Sequence, residues 1–210
     1  MNLNWVRLCV IGFVASAVSG CALYEPHISD LALVSVEIVP ARVLTTGKLR
    51  DSEPQIKITF SSEVDLVDIG QGKHFFSFPV YQETTLCKNF ASGRGGEISI
   101  GGEVFWKGGG VNGSNTYYSH EDYSAELFRK FYPEFKEQKL KYYEAFSSIR
   151  HVMGVPHPIK VAFDLERQPE DLCLAVHGGD MLGATYRSNT VVVPKAAIAE
   201  AFREAAARGR

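Results

Sequence analysis

The stretch that decides the fold reads Gln55-Ile56-Lys57-Ile58-Thr59-Phe60-Ser61. Apolar and polar residues alternate along it, which is the period-two pattern of a β-strand with one face on a core. The predicted inward residues are Ile56, Ile58 and Phe60, and the outward face carries Lys57, Thr59 and Ser61. The stretch therefore predicts a half-buried strand in a sheet that covers a hydrophobic core.

The flanking sequence contains further strand patterns. Leu31–Val39 places Val34, Val36 and Ile38 on one face and ends before Pro40, so it also predicts a half-buried strand. Further strand patterns follow in Val64–Ile69, His74–Tyr81, Thr84–Phe90 and Glu97–Trp106. Six strands before residue 107, joined by turns, favour antiparallel pairing over βαβ units. The strand pattern resumes in Ile159–Glu166, Asp171–His177 and Thr190–Val193.

A helical pattern interrupts the strands at about 107–158. Ser119-His120-Glu121-Asp122 combines a capping hydroxyl with two acids, which is typical of a helix start. Apolar residues recur at four-residue spacing at Tyr123, Leu127, Phe131 and Phe135, and a second series at three and four follows at Tyr142, Phe146, Ile149 and Met153. Because Pro133 lies inside this pattern, two helices are predicted, the second beginning at about Pro133. Near the C-terminus, Ile198, Phe202 and Ala205 predict one more short helix.

These patterns predict a mainly β fold of one domain over residues 31–210. The expected architecture is an antiparallel immunoglobulin-like β-sandwich with a helical insertion at about 107–158 and a short C-terminal helix. A chain of this length is sufficient for one hydrophobic core and short for two. A disulfide between strands that are distant in sequence would suit such a core.

Residues 1–20 have the layout of a secretory signal. One cation, Arg7, precedes an apolar segment from Leu8 to Ala17, and small residues follow it. The apolar run is about half of the roughly 20 residues that a helix needs to span a bilayer. Residues 1–20 are therefore predicted to be a signal peptide rather than a membrane span.

The end of this signal, Val18-Ser19-Gly20-Cys21, resembles the lipobox of bacterial lipoproteins. The resemblance implies that Cys21 receives a diacylglyceryl group and becomes the first residue of the mature protein. An ordinary secretory signal or an uncleaved anchor are the alternatives. In such lipoproteins, Ala22 in place of an aspartate favours the periplasmic face of the outer membrane. Residues 21–30 are then a lipidated tether, and at ~3.3 Å per residue it reaches about 30 Å at most.

Charge limits the kinds of partner that the chain can have. It contains 22 basic and 24 acidic residues. Arg7 is the one basic residue of the signal, so 21 basic against 24 acidic residues remain, a formal charge of −3. The sequence has no cationic stripe or tail, which argues against a nucleic-acid partner and against a polybasic contact with lipid. The predicted membrane contact is therefore made by the acyl chains on Cys21.

Two cysteines remain for the mature domain if Cys9 leaves with the signal and Cys21 is acylated. In an oxidising compartment, such a pair favours a disulfide between Cys87 and Cys173. Closing a loop of 86 residues would stabilise the fold by roughly 4 to 5 kcal/mol in the chain-entropy treatment. The alternative is a catalytic thiol paired with His177.

The sequence predicts no catalytic residue, no metal site and no cofactor. His151 and His157 are six residues apart, a spacing that does not match zinc ligand pairs. The sequence has neither a serine nucleophile elbow nor a phosphate-binding glycine loop. Glu103, Asp164 and Glu166 could supply the carboxylate pair of a glycosidase, but acids that face outward on a strand are ordinarily only solvated.

Aromatic residues are concentrated between Tyr117 and Phe146. They lie on more than one face of the predicted helices, because Phe128 and Tyr132 fall outside the stripe that begins at Tyr123. One interpretation is core packing, and the other is a surface for an envelope protein or a glycan. The candidate partner-binding residues of the second interpretation are Tyr117, Tyr118, Phe128 and Tyr132.

The functional hypothesis from these features is a lipid-anchored envelope protein without catalytic activity that binds or organises a partner near the membrane. The alternative is an envelope hydrolase that acts on cell-wall or glycan material. A convex aromatic patch would favour the binding protein. A cleft with convergent polar groups and perturbed pKa values would favour the enzyme.

Overall fold

The structure is a computed structural model, and it describes residues 28–39, 53–66, 69, 80–91, 100–103, 105–106, 118–119, 133, 136–153, 160–179 and 185–209. These residues are mainly β, and the longer helix is C-terminal. The strands are β1 (Ala32–Val39), β2 (Gln55–Ser62), β3 (Tyr81–Leu86), β4 (Ile100–Glu103), β5 (Phe105–Trp106), β6 (Tyr118–Ser119), β7 (Lys141–Ser148), β8 (Arg150–Met153), β9 (Lys160–Asp164), β10 (Leu172–Gly179), β11 (Thr185–Arg187) and β12 (Val191–Val193). The helices are α1 (Cys87–Ala91) and α2 (Lys195–Ala207).

The strands form two five-stranded sheets and one separate pair. The first sheet has the order β1-β2-β7-β5-β6. The second has the order β11-β10-β3-β4, and β12 also pairs with β10. Strands β8 and β9 pair with each other. All of these pairings are antiparallel, so the predicted mainly β, antiparallel class and the C-terminal helix are confirmed.

One apolar core contains residues from both sheets and from α2. The first sheet contributes the predicted inward residues of β2, Ile56, Ile58 and Phe60, all of them fully buried. From the second sheet come Leu172, Leu174 and Val176 of β10, and from α2 come Ile198, Ala201, Phe202 and Ala205. Each fully buried large apolar side chain of this kind contributes about 1.5–3 kcal/mol to stability.

The polar face of β2 is buried as well, so the predicted half-buried strand is wrong in this respect. Strand β2 lies between β1 and β7, and both Thr59 and Ser61 are buried. Lys57 Nζ lies 3.2 Å from Glu37 Oε2 and 3.6 Å from Glu144 Oε1. Charged side chains tolerate burial when they are paired. An alternating sequence identifies the polar face but does not show whether water reaches it.

Strand β1 contains a bulge that the sequence pattern does not reveal. Leu33 lies opposite Phe60, but Ser35 already lies opposite Thr59, so Val34 is an extra residue in β1. Beyond the bulge, Val36 and Ile38 face the same side as Ile58 and Ile56. An extra residue reverses the alternation. The predicted inward position of Val34 is therefore wrong, because its side chain is exposed and Leu33 packs on the core instead.

The predicted second helix is also wrong over its later part. Lys141–Ser148 is strand β7, and Arg150–Met153 is strand β8. Tyr142 and Phe146 are four residues apart, a spacing that fits one face of a strand as well as one face of a helix. Tyr143 and Ala145 are buried in the core on the other face of β7. A strand with apolar residues on both faces has no period-two signal, and so the spacing resembles that of a helix.

The predicted helix before Pro133 lies mostly outside the described residues. Pro133, Lys136 and Glu137 are helical, and Tyr118–Ser119 is strand β6. Two predicted strands, Thr84–Phe90 and Val64–Ile69, are helical in part. Cys87–Ala91 is α1 rather than the end of a strand, and the Ile69 N–H donates to the Asp65 carbonyl at 3.1 Å, as in a helical turn. The tertiary contacts of α1, described below, outweigh the local strand preference.

Candidate functional site

The described part of the chain brings several functional side chains together beside the disulfide. Cys87, at the start of α1, is bonded to Cys173 on β10, with Sγ atoms 2.14 Å apart and Cα atoms 4.9 Å apart. The Cys87 N–H also donates to the Asp171 carbonyl at 2.9 Å. This is the cysteine pair that the sequence predicts. The alternative, a catalytic thiol paired with His177, is incompatible with the bonded sulfurs of this structure.

Strand alternation decides which residues of β10 share the face of the disulfide. Leu172, Leu174 and Val176 are fully buried in the core, as the sequence predicts. Cys173 and His177 therefore lie on the outer face of the second sheet. Pairing with β3 and β11 then places Tyr81 and Arg187 directly opposite His177.

Five side chains on this outer face are called the Arg187 surface: Tyr81, Glu83, Phe90, His177 and Arg187. Arg187 Nη1 lies 2.7 Å from Glu83 Oε2. The guanidinium group of Arg187 also lies over the Phe90 ring, 5.0 Å from its centroid. The Tyr81 and His177 rings are 6.2 Å apart and tilted by 39°. Three strands and one helix thus contribute to one continuous surface.

The disulfide positions part of this surface through α1. Helix α1 has only five residues, and a helix of this length is not stable on its own. The Cys87–Cys173 bond and the Cys87 hydrogen bond both hold its first residue against β10. Phe90, three residues later, is placed under Arg187 as a result. The second sheet supports Arg187 from the other side, because the preceding residue, Tyr186, is buried in the core.

Charges in the Arg187 surface are balanced within it. Burial lowers the pKa of the His177 imidazole, and the positive charge of Arg187 lowers it further, while the carboxylate of Glu83 acts in the opposite direction. His177 is therefore uncharged at neutral pH. Because the pKa of His177 is lower in the folded than in the unfolded protein, stability is greatest above the unfolded pKa of about 6.5 and is lost as the pH falls from there through the lower pKa of the folded state.

Of the three carboxylates considered for a glycosidase, the structure gives side-chain partners for Asp164. Asp164 Oδ2 lies 4.0 Å from Arg150 Nε and 3.8 Å from Arg167 Nε, so two arginines engage it. Glu166 is exposed in the turn after β9, and Glu103 is placed on β4 by its backbone alone. Within the described ranges, no group of three or more His, Cys, Asp or Glu side chains is arranged to hold a metal ion.

The other site residues predicted from the sequence lie outside the described residues, except for the backbone of Tyr118. Cys21, Tyr117, Phe128 and Tyr132 are not among the described residues, and Tyr118 is described only as part of β6. Lipidation of Cys21 and the aromatic partner surface therefore stay predictions. Among the residues that the structure does describe, no helix is both long enough and apolar enough to cross a bilayer.

Sequence reasoning did not identify Arg187, Glu83 or Phe90. Arg187 lies on a strand of three residues, which is too short to show a period. Glu83 and Phe90 become neighbours of Arg187 only through strand pairing and through the placement of α1. The one signal in the sequence was His177, which stands four residues after Cys173.

Comparison with known proteins finds no matching family model, no matching curated protein and no matching solved structure. The functional interpretation therefore depends on the chemistry of the Arg187 surface and on the sequence of the N-terminus. Arginine and aromatic side chains are the residue types that most often dominate the binding energy of protein interfaces. The Arg187 surface combines these types on a rigid support.

Proposed function

We propose that the protein is a lipid-anchored binding protein of the bacterial envelope, without catalytic activity, and that its partner is another envelope protein. Acyl chains on Cys21 would hold it at the periplasmic face of the outer membrane. Support for the anchor comes from Val18-Ser19-Gly20-Cys21 and from Ala22. The Arg187 surface is the single observation that carries the binding function.

The Arg187 surface suits recognition because its central cation is accessible and already oriented. The Arg187 side chain is 46% exposed. Glu83 binds one of its nitrogens and the Phe90 ring supports its plane, so little further side-chain entropy is lost when a partner binds. An exposed ion pair of this kind adds at most about 1 kcal/mol to stability. Its contribution to orientation is therefore more important than its contribution to the fold.

We also propose that the two antiparallel sheets form a β-sandwich. The shared core of β2, β7 and β10 supports this arrangement. An immunoglobulin-like topology has weaker support, because the Cys87–Cys173 bond lies on the outer face of one sheet. In antibody domains the disulfide joins the two sheets through the core.

Replacing the predicted lipidated cysteine tests the anchor. The Cys21→Ser variant should incorporate no labelled fatty acid and should accumulate as unprocessed or released protein, since serine has no thiol to acylate. Metabolic labelling and fractionation of the envelope measure both effects. Cys87→Ser is the matched control, because this cysteine is bonded to Cys173 and should leave labelling unchanged. Undiminished labelling of Cys21→Ser would refute the anchor.

Replacing the central arginine tests the binding surface. Arg187→Ala should reduce co-purification of an envelope partner at least about tenfold, as expected for a residue worth about 1.4 kcal/mol or more at an interface. The measurement is quantitative pull-down from detergent-solubilised envelopes. Arg203→Ala is the matched control, because Arg203 is 72% exposed on α2 and pairs with Glu200. Equal recovery with both variants would contradict the proposal, and loss after glycan digestion would identify a glycan partner.

The alternative of an envelope hydrolase has one observation in its favour. His177 is uncharged at neutral pH, as a general base must be. However, a catalytic base is held in place by a neighbouring group, and Glu83 would have to do this for His177. Glu83 instead forms an ion pair with Arg187. The binding function is therefore preferred. Release of labelled cell-wall fragments by the purified protein, lost on His177→Asn, would favour the hydrolase.

A further inference from the structure

The ion pair between Arg187 and Glu83 crosses a strand of the second sheet. Arg187 is on β11 and Glu83 is on β3, and β10 lies between these two strands. Two strand spacings, or about 10 Å, therefore separate the two backbones. Arg187 Nη1 nevertheless lies 2.7 Å from Glu83 Oε2. The two side chains thus extend toward each other over the outer face of β10.

Ala175 of β10 lies beneath this ion pair. It pairs with Glu83 and is two residues before His177, which pairs with Arg187. Alternation along β10 places Ala175 on the outer face with His177, away from the apolar core. Ala175 is nevertheless fully buried. Because a methyl group on an outer face is shielded by the larger side chains above it, the ion pair that passes over this position contributes to its burial. The guanidinium is therefore held close to the sheet.

Most hydrogen-bond donors of the Arg187 guanidinium remain available. A guanidinium carries more N–H donors than one carboxylate can accept. The Phe90 ring attracts the positive charge but supplies no oxygen acceptor. Among the residues that the structure describes, Glu83 is the one acceptor given for this group. The donors that Glu83 does not use can therefore bind water or a ligand.

The ion pair presents its cation outward. The Arg187 side chain is 46% exposed, and the Glu83 side chain is 15% exposed. A ligand that approaches from solvent therefore meets the guanidinium before the carboxylate. The neighbouring His177 imidazole is uncharged at neutral pH. The accessible charge of the site is therefore that of one cation, which suits a monoanion, whereas a phosphate dianion is ordinarily bound by several donors or cations.

We propose that Arg187 binds a single carboxylate, supplied by an aspartate or glutamate side chain of the protein partner. The inference rests on the proposed binding function and names the group that is recognised. The two oxygens of a carboxylate match neighbouring N–H groups of a guanidinium. The carboxylate at the end of a chain is ordinarily captured by backbone N–H groups in a nest. The Arg187 surface consists instead of side chains on the face of a sheet, and so a side-chain carboxylate is the better fit.

Titration with a small carboxylate tests this assignment. The mature acylated protein, in a non-ionic detergent and with ¹³C-labelled arginine, is titrated with N-acetylglutamic acid α-methylamide, and the Cζ resonances are followed. Arg203 is the internal control, because it also pairs with a glutamate but is 72% exposed on α2. The Kd at Arg187 should be at least about threefold lower than at Arg203, because a side chain held in advance loses less entropy on binding. The neutral glutamine analogue of the probe should shift neither resonance.

Equal Kd values at Arg187 and Arg203 would overturn the carboxylate site. Tighter binding of inorganic phosphate than of the probe would overturn it in favour of a phosphate ligand. Tighter binding of N-acetylalanine, whose carboxylate is that of a chain end, would overturn the assignment to a side chain. The Phe90→Leu variant keeps both charges of the ion pair but removes the ring. It should raise the Kd at Arg187 toward that at Arg203 and leave the Kd at Arg203 unchanged.

The result can be separated from failure of the proposed binding function. Pull-down with Arg187→Ala measures the protein partner independently of the titration. If recovery of the partner depends on Arg187 but the two Kd values are equal, the binding surface stands and the carboxylate assignment is overturned. If Arg187 binds the probe selectively but recovery does not depend on Arg187, the carboxylate site stands and the proposed protein partner is wrong.

Discussion

Replacing Cys87 and Cys173 together with serine should lower the free energy of unfolding by roughly 4 to 5 kcal/mol, the chain-entropy value for a loop of 86 residues. For a domain of this size, the thermal midpoint should then fall by about 10–20 °C. Chemical denaturation and calorimetry measure the two quantities. The unsubstituted mature protein, denatured without reductant, should react with no thiol reagent at either position.

The double variant should also lose partner binding below its unfolding midpoint. Without the bond, α1 loses its covalent link to β10, and Phe90 no longer supports the Arg187 guanidinium. Lys88→Ala is the matched control, because Lys88 is an exposed residue of α1 whose ion pair with Glu170 contributes at most about 1 kcal/mol. Alkylation of Cys87 in natively exported protein would contradict the disulfide, as would an unchanged midpoint in the double variant.

The cysteine pair could be predicted from the number of cysteines in the sequence alone. Export and acylation leave two thiols, and the oxidising compartment pairs them. The rest of the Arg187 surface could not be predicted in this way. Tyr81, Glu83 and Phe90 are separated from Arg187 by about a hundred residues of chain. The antiparallel pairing of β3, β10 and β11 brings Tyr81 and Glu83 to Arg187, and the placement of α1 brings Phe90. The spacing of hydrophobic residues along the chain does not show which strands pair with each other.

Strands with one apolar and one polar face were predicted well. The inward residues of β2 and β10 follow directly from alternation, and those of α2 from helical spacing. The prediction failed for β7, where both faces are buried, and apolar residues on both faces remove the period-two signal. It also failed at Val34, because a bulge depends on the partner strand and not on local sequence.

The fold itself depends most on the centre of the first sheet, and Phe60→Ala tests this directly. The Phe60 side chain is fully buried, and its ring stacks on Tyr143 with centroids 5.7 Å apart. The Tyr143 hydroxyl accepts from the Leu66 N–H at 2.9 Å and donates to the Val64 carbonyl at 3.2 Å. Loss of the Phe60 ring therefore leaves a cavity and also loosens the support of the turn after β2.

Phe60→Ala should lower the free energy of unfolding by about 3–5 kcal/mol, the usual cost of removing a buried aromatic ring. Urea denaturation monitored by circular dichroism measures it. Val34→Ala is the matched control on the neighbouring strand, and it should cost less than about 1 kcal/mol because the bulge turns Val34 to solvent. If Val34→Ala were as costly as Phe60→Ala, Val34 would face the core and the bulge would be absent. A change below about 1 kcal/mol in Phe60→Ala would mean that β2 does not lie at the centre of the core.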